Sequence, residues 1–501
     1  MELNQALEKL REIEKKQIAY SHATGLIYYD GVTAAPRGTA ANRGETLAIL
    51  SEVEYDLSTG PEISEVVETL KAHLDELDPT IRRIVEVKDK SLRELRKIPV
   101  EEYVAYSRLT NEAQEVWHRA KEENDYASFA PYIDKLVAAN KRFASLIAPE
   151  KDPYDYMLDQ YEEGLTREKC EAFFGELRRE LVPLVKKVIA APQVDDSLNK
   201  KLYPIPLQEK LSDKLMEMLG MDRDHSTIAT TEHPFTINFT KYDVRITTHY
   251  HEDMFLSSLY SVVHEGGHAL YELGIGDDIA YTCLGTGVSM GVHESQSRFY
   301  ENIIGRSEAF SEKLFPILTE LFPEQTAGYT AHDLYLAANK SEPSLIRTEA
   351  DELTYCLHIM VRYEAEKALF EGRATSADLP KLWNDLYKEY LGIDVPDDRQ
   401  GVLQDSHWSG GSFGYFPSYA IGSAYGAQIL SKMEEEFDVF EAVHNGEMAK
   451  INAWLEEHIW KYGCLYKPGE LMEQVFGAPF DTKYFVEYLK KKYAAIYGIE
   501  A

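Results

Sequence analysis

Positive charge is in short supply in this chain: 53 lysines and arginines face 85 aspartates and glutamates, for a formal net charge of −32 at pH 7. A field of that sign repels phosphate backbones and anionic headgroups, which argues against nucleic-acid and membrane partners. Cysteine is as sparse. Cys170, Cys283, Cys356 and Cys464 are widely scattered and form no CxxC pair, which fits reduced thiols in a cytoplasm better than a disulfide framework. Long apolar runs are missing too. No window approaches 18 uninterrupted apolar residues, so no membrane span is expected. The opening MELNQALEKLREIEKKQ has neither the apolar stretch nor the cleavage site of a secretory signal. Length alone would allow two or three domains. With no repeat, low-complexity tract or shift in composition, residues 1–501 are expected to form a single domain.

What is present reads mostly as helix. Leu3, Leu7, Leu10 and Ile13 recur at spacings of three and four, residues 64–149 keep that period, and residues 166–190 repeat it behind a Thr166 cap. Prolines 153, 192, 204 and 206 punctuate the chain without making a long linker. One segment departs from this. In HPFTINFTKYDVRITTHY (233–250), Ile237 and Phe239, then Val244 and Ile246, alternate with polar neighbours. That period predicts a half-buried strand or hairpin, with an edge along which an extended peptide could be held.

Directly after it comes SVVHEGGHALYE (261–272). On a helix, His264 and His268 lie one turn apart on one face, spaced to bind a single Zn²⁺, with Glu265 directed at the water to be activated. Gly266 and Gly267 each cost about 1 kcal/mol relative to alanine inside a helix. Keeping both implies that another element, or substrate, approaches the backbone there, and Gly274 offers a C-cap. A catalytic zinc takes a third protein ligand. Glu294 in VHESQSRFYENIIGRS, 26 residues after His268, is the best candidate, with His293 as competitor and Glu301 and Asn302 as acceptors for a ligand imidazole. Cys283 lies between the second and third ligands and would be the residue to close a purely structural site.

HPF (233–235), DVRIT (243–247), HEGGH (264–268), HESQSR (293–298), IRTEAD (346–351) and GVLQDSHW (401–408) together resemble the carboxypeptidase Taq family of metallocarboxypeptidases. The likeness extends to Asp30–Thr33–Pro36 and to GYFPSY (414–419). The resemblance implies a mainly α fold of two helical halves flanking a deep active-site groove, like neurolysin-type oligopeptidases and angiotensin-converting enzyme. A small antiparallel β-sheet would sit beside the HExxH helix. It implies a homodimer that binds one zinc or cobalt ion per subunit and removes single residues from free peptide C-termini. His264, His268 and Glu294 would be the ligands and Glu265 the general base.

By the same resemblance, His407 and Tyr419 would stabilise the oxyanion, with Tyr415 as the alternative to Tyr419. The glycines between them would let a loop fold over substrate. A terminal carboxylate calls for an arginine fork. Arg347 is first choice, by resemblance and by its acidic neighbours, with Arg245 and Arg298 as alternatives. Each could equally be a structural ion pair, Arg245 with Asp243 or Arg347 with Asp351. His233 and Gln404 are expected to line the groove. Two other readings remain: an endo-acting oligopeptidase with the same metal site, and a helical peptide-binding module without catalysis.

Overall fold

Apolar residues spaced at three and four set up helices with one buried stripe each, and that is what forms. In the computed structural model, which describes residues 1–500, 69% of the chain is helical. The first helix, Leu3–Thr33, buries Leu10 and Ile13 and lays Leu3 and Leu7 against the same core. Pro79–Lys97, Val100–Glu123 and Tyr126–Ile147 continue the pattern. Thr166 caps Arg167–Ala190 by accepting from the Lys169 N–H at 3.4 Å. Pro153 opens Pro153–Tyr161, and Pro206 sits in the first turn of Ile205–Leu219, where a missing N–H costs no hydrogen bond.

Four helices make the centre: Phe255–Leu273, Met290–Arg298, Glu352–Glu371 and Phe416–Met433. They are buried over most of their circumference, charged side chains such as Glu294, Arg362 and Glu366 included. Val262 and Val263 are 0% exposed, each contributing about 1.5–3 kcal/mol of transfer free energy. Asp351 starts the Glu352–Glu371 helix by accepting from the N–H groups of Leu353 and Thr354 at 3.0 and 3.1 Å. Asp351 is therefore a cap and not the ion-pair partner of Arg347.

The sheet has three strands, β1 (Ser226–Thr230), β2 (Thr236–Thr240) and β3 (Asp243–Thr248), in the order β1-β3-β2. β2 and β3 pair antiparallel, with an irregularity between Asn238 and Thr240, while β1 runs parallel to β3. The expected small sheet is thus present beside the HEGGH helix, but it is mixed and not purely antiparallel. β1 was illegible because STIAT is too short to show a period. Along β2 the alternation is real. Phe239 stacks on His22 of the first helix at 4.9 Å, while Thr236 and Asn238 reach the Phe255–Leu273 helix.

Candidate metal centre and active site

The HEGGH motif lies in the helix Phe255–Leu273, ended at Gly274, whose N–H reaches the carbonyls of Leu270 and Tyr271. Gly267 is where Met290–Arg298 crosses. A Cβ there would stand 2.6 Å from the Gln296 carbonyl oxygen and 2.8 Å from Ser297 Cα. Gly266 faces only side chains, Leu219 Cδ1 at 2.6 Å and Met221 Sδ at 3.5 Å. The missing bulk therefore makes room for another helix, not for substrate. That helix carries Glu294. On the far side a Cβ on Gly422 would sit 2.6 Å from Glu294 Cβ, so Phe416–Met433 clamps it from behind.

This crossing brings His264, His268 and Glu294 together, with one donor atom from each lying within 4.8 Å of the others. Glu294 Oε2 stands 3.8 Å from His264 Nε2 and 3.5 Å from His268 Nε2. Donors around a tetrahedral ion at about 2.0–2.1 Å would be roughly 3.4 Å apart, so the set fits a zinc-like ion with its fourth position open. Both imidazoles are held from behind through Nδ1, which leaves Nε2 for the ion. His264 Nδ1 meets Glu301 Oε2 at 2.8 Å, and His268 Nδ1 meets His293 Nδ1 at 2.7 Å.

Glu301 thus takes the role expected of it. Asn302 does not: the two Nδ1 atoms are taken by Glu301 and His293, and the Asn302 backbone carbonyl accepts from Tyr488 Oη and Lys492 Nζ at 3.3 and 3.1 Å. The reason lies in the backbone. After Arg298 the chain widens into a π-helix, Phe299–Gly305, and α-helical phase no longer says which face a residue takes. His293 lies outside the cluster and stands behind His268. Cys283 is outside the cluster, and among the described residues all four cysteines are free thiols.

The electrostatics follow from burial and close charge. Arg298 donates from Nε to Glu294 Oε1 at 2.7 Å and from Nη1 to Glu301 Oε2 at 3.2 Å. Burial works against the charge on Glu294, but Arg298 and His264 outweigh it and hold the carboxyl well below its usual range. Burial pushes His268 down to about 3. His264 is raised, because Glu294 and Glu301 together overcome its desolvation. Glu265 is raised by burial, partly offset by His264 and by Thr236, whose hydroxyl donates to Glu265 Oε2 at 2.6 Å.

The other wall joins two distant motifs. Arg347 of IRTEAD donates from Nε to Asp405 Oδ1 of GVLQDSHW at 2.9 Å, and its backbone N–H donates to Gln404 Oε1 at 2.9 Å. Arg362, fully buried, donates from Nε to Asp405 Oδ2 at 2.7 Å. The Arg347 guanidinium lies 5.0 Å over the Tyr419 ring, and Tyr419 Oη is 3.3 Å from His407 Nε2. Burial brings His407 down to about 4, so it is neutral at pH 7. With its proton on Nε2 it donates to Tyr419 Oη and frees the Tyr419 hydroxyl hydrogen. Tyr419 stays protonated because burial, then Tyr415, raise it well above the usual phenol range.

The remaining candidates divide. His233 is exposed and shares with His407 a groove of about 1050 Å³, lined also by Trp117, His118 and Lys121. Gln404 is spent on structure, its amide donating to the carbonyls of Leu345, Gln400 and Gly401. Arg245 is closed on Asp243 through two bonds of 2.8 and 2.7 Å, and Arg298 is taken by Glu294 and Glu301. Two of the glycines between His407 and Tyr419 are required by packing and backbone conformation. A Cβ on Gly414 would meet the Met157 carbonyl carbon at 2.7 Å, and both Gly411 and Gly414 adopt positive φ, 80° and 83°. Sequence reasoning missed Thr236 and Glu272. Glu272 could have been found, because it falls four residues after His268 on the same helical face.

The sequence profile of the carboxypeptidase Taq (M32) metallopeptidases matches residues 9–493. Carboxypeptidase 1 of Bacillus subtilis (strain 168) is 38% identical over 499 residues, covering 99% of this chain and 100% of the relative. Thermostable carboxypeptidase 1 of Pyrococcus furiosus is 38% identical over 495 residues, 98% of each chain. Among solved structures, the M32 carboxypeptidase from Deinococcus radiodurans R1 superposes with a TM-score of 0.95 at 33% identity, covering 99% of this chain and 100% of that one.

Proposed function

The chain belongs to the carboxypeptidase Taq (M32) family of metallopeptidases, and from that premise we propose that it releases single residues from the free C-termini of peptides with broad specificity. The observation that carries this reading is the convergence of His264, His268 and Glu294 beside the buried Glu265. A zinc or cobalt ion, one per subunit, would be held by the two Nε2 atoms and the Glu294 carboxylate, polarising the scissile carbonyl and acidifying the attacking water. Glu265, its basicity raised by burial, takes that water's proton and passes it to the leaving amine. Tyr419 donates its hydroxyl hydrogen to the oxyanion while His407 orients it.

Arg347 is the anchor we assign to the terminal carboxylate. Of the three candidate arginines it alone lies over the Tyr419 ring, and Nη1, which donates to Tyr355 Oη at 3.3 Å, is the edge of its fork that Asp405 does not take. His233 lies on the groove beside His407 and is read as a substrate contact. The whole chain is read as one catalytic domain, supported by a core that runs from Ala6 to Tyr497. Four free thiols support a reducing, cytoplasmic setting. The homodimer is carried over from the sequence resemblance, and light scattering tests it. No helix among the described residues is long and apolar enough to cross a membrane.

The deciding experiment uses one N-blocked tripeptide as free acid and as C-terminal amide, with products read by mass spectrometry and Glu265→Gln protein alongside. Release of the last residue from the acid alone, lost in Glu265→Gln, is the expected result. Equal cleavage of both forms would point to an endo-acting oligopeptidase and remove Arg347 from its role. Cleavage of neither would leave a peptide-binding module.

A further inference from the structure

The two ligand imidazoles are backed differently. His264 has a carboxylate directly behind it, Glu301, itself paired with Arg298 and Arg306. His268 has a second imidazole. His293 Nδ1 lies 2.7 Å from His268 Nδ1, and His293 Nε2 lies 2.8 Å from Glu272 Oε1. Only one arrangement of protons leaves His268 Nε2 free as a ligand: His268 donates from Nδ1 to His293 Nδ1, and His293 donates from Nε2 to Glu272. A ring with one acceptor and one donor in those places is a neutral imidazole of a single tautomer.

Glu272 is built for the end of that chain. It is 1% exposed, and its carboxylate accepts from Thr286 Oγ1 at 2.8 Å, Gly287 N–H at 3.0 Å and Asn238 Nδ2 at 2.7 Å. No lysine or arginine pairs with it among the described residues; its remaining partner is the His293 Nε2–H. A buried carboxylate without a cation is costly unless its oxygens are hydrogen-bonded, and here Thr286, Gly287, Asn238 and His293 together satisfy them. The His293 ring is also fixed in place: a Cβ on Gly287 would meet its Cδ2 at 2.6 Å.

We propose that His293 and Glu272 are positioning residues, an imidazole–carboxylate relay that holds His268 in the tautomer and orientation needed to bind the metal ion. The proposal rests on the reading of His264, His268 and Glu294 as ligands. Residues that back a ligand imidazole typically change metal affinity by about 10–100-fold when removed, and the relay predicts an effect of that size through two bonds.

The test is zinc affinity by chelator competition on metal-free protein, with the visible spectrum of the cobalt form and a thermal melt of each variant. His293→Leu should weaken zinc by about 10–100-fold and shift the cobalt bands. His293→Gln can accept with its carbonyl and donate with its amide, so it should recover much of the loss. Glu272→Gln, which keeps the shape of the pocket, should weaken zinc when His293 is present and have no effect in a His293→Leu background. Unchanged affinity in His293→Leu, or an equal Glu272→Gln effect in both backgrounds, would overturn the relay while leaving the metal centre standing. Wild-type protein that binds no zinc or cobalt would overturn the metal centre, and the relay with it.

Discussion

The Thr236 hydroxyl donates at 2.6 Å to Oε2 of Glu265, tying the edge strand of the sheet to the proposed general base. Two residues along the same strand, Asn238 binds Glu272, two helical turns beyond Glu265. The strand therefore grips one face of the HEGGH helix at two points and adjusts the carboxylate that must accept a proton. Burial raises Glu265 and the Thr236 bond lowers it. Thr236→Val removes the lowering contribution, so Glu265 protonates at higher pH. A base works only when deprotonated, so the acidic limb of kcat/KM against pH should move toward higher pH. The loss should be greater at pH 6 than at pH 8, and an unmoved limb would separate Thr236 from the base.

Glu265→Gln keeps the size of the side chain and the Thr236 contact but cannot take a proton. General-base removal typically costs about 10²–10⁴ in rate. The expected result is a fall of that order in kcat, with zinc content equal to wild type because the ligands are untouched. Parallel loss of metal would show that Glu265 supports the site and does not act on water.

Much of this site could be read before any coordinates existed. The proposed metal triad and its base follow from spacing and donor chemistry, and the close approach to the helix backbone, found at Gly267, from the pair of glycines. Other features depended on long-range placement. Asp405 is 58 residues from Arg347 in the chain, and no periodicity links them, so Arg347 invited pairing with the nearer Asp351, which caps a helix instead. In the π-helix at Phe299–Gly305 Glu301 bonds a ligand imidazole and Asn302 does not, a change of phase that an α-helical wheel cannot show. His293 looked like a rival ligand because a motif names residue types and not the direction a ring takes.

Tyr415 and Tyr419 lie 5.1 Å apart, ring to ring, and compete for one role. Tyr419 has His407 at its hydroxyl and Arg347 over its ring, while the Tyr415 hydroxyl meets Tyr419 itself and Met290 Sδ, the latter at 3.9 Å. Tyr419→Phe should therefore lower kcat by about 10²–10³, the usual cost of one oxyanion donor, with KM little changed. Tyr415→Phe should do much less. If the two effects are exchanged, so are the roles.

Gly266→Ala and Gly267→Ala separate helix propensity from helix packing. Alanine gains about 1 kcal/mol over glycine inside a helix. At Gly266 the new methyl crowds only the end of Leu219, which can turn aside, so stability should change by no more than about 1 kcal/mol. At Gly267 it meets backbone of the helix carrying Glu294 and forces the two helices apart. Overpacking of that kind costs roughly 1–3 kcal/mol, and zinc affinity should fall as the ligands separate. Denaturant unfolding and chelator competition on both variants give the comparison, and equal behaviour would refute the packing account.

Asp405 joins Arg347 and Arg362 from opposite oxygens, so its removal leaves two buried guanidinium groups without a carboxylate. Breaking such a pair by deleting one partner costs about 3–5 kcal/mol, and Asp405→Asn should lose that much at pH 7. The pH dependence has a fixed sign. Desolvation raises Asp405, but Arg362 and Arg347 overcome it and hold the group well below the ordinary carboxylate range. A depressed carboxylate stabilises the fold fully above its unfolded value of about 3.9 and loses that contribution as pH falls through the folded value. The gap in urea midpoint between wild type and Asp405→Asn should therefore stay constant from pH 7 to about pH 5 and narrow only in stronger acid. A gap at pH 7 of no more than about 1 kcal/mol would class the cluster with exposed pairs. Arg347 would then lack the fixed seat from which it holds Tyr419.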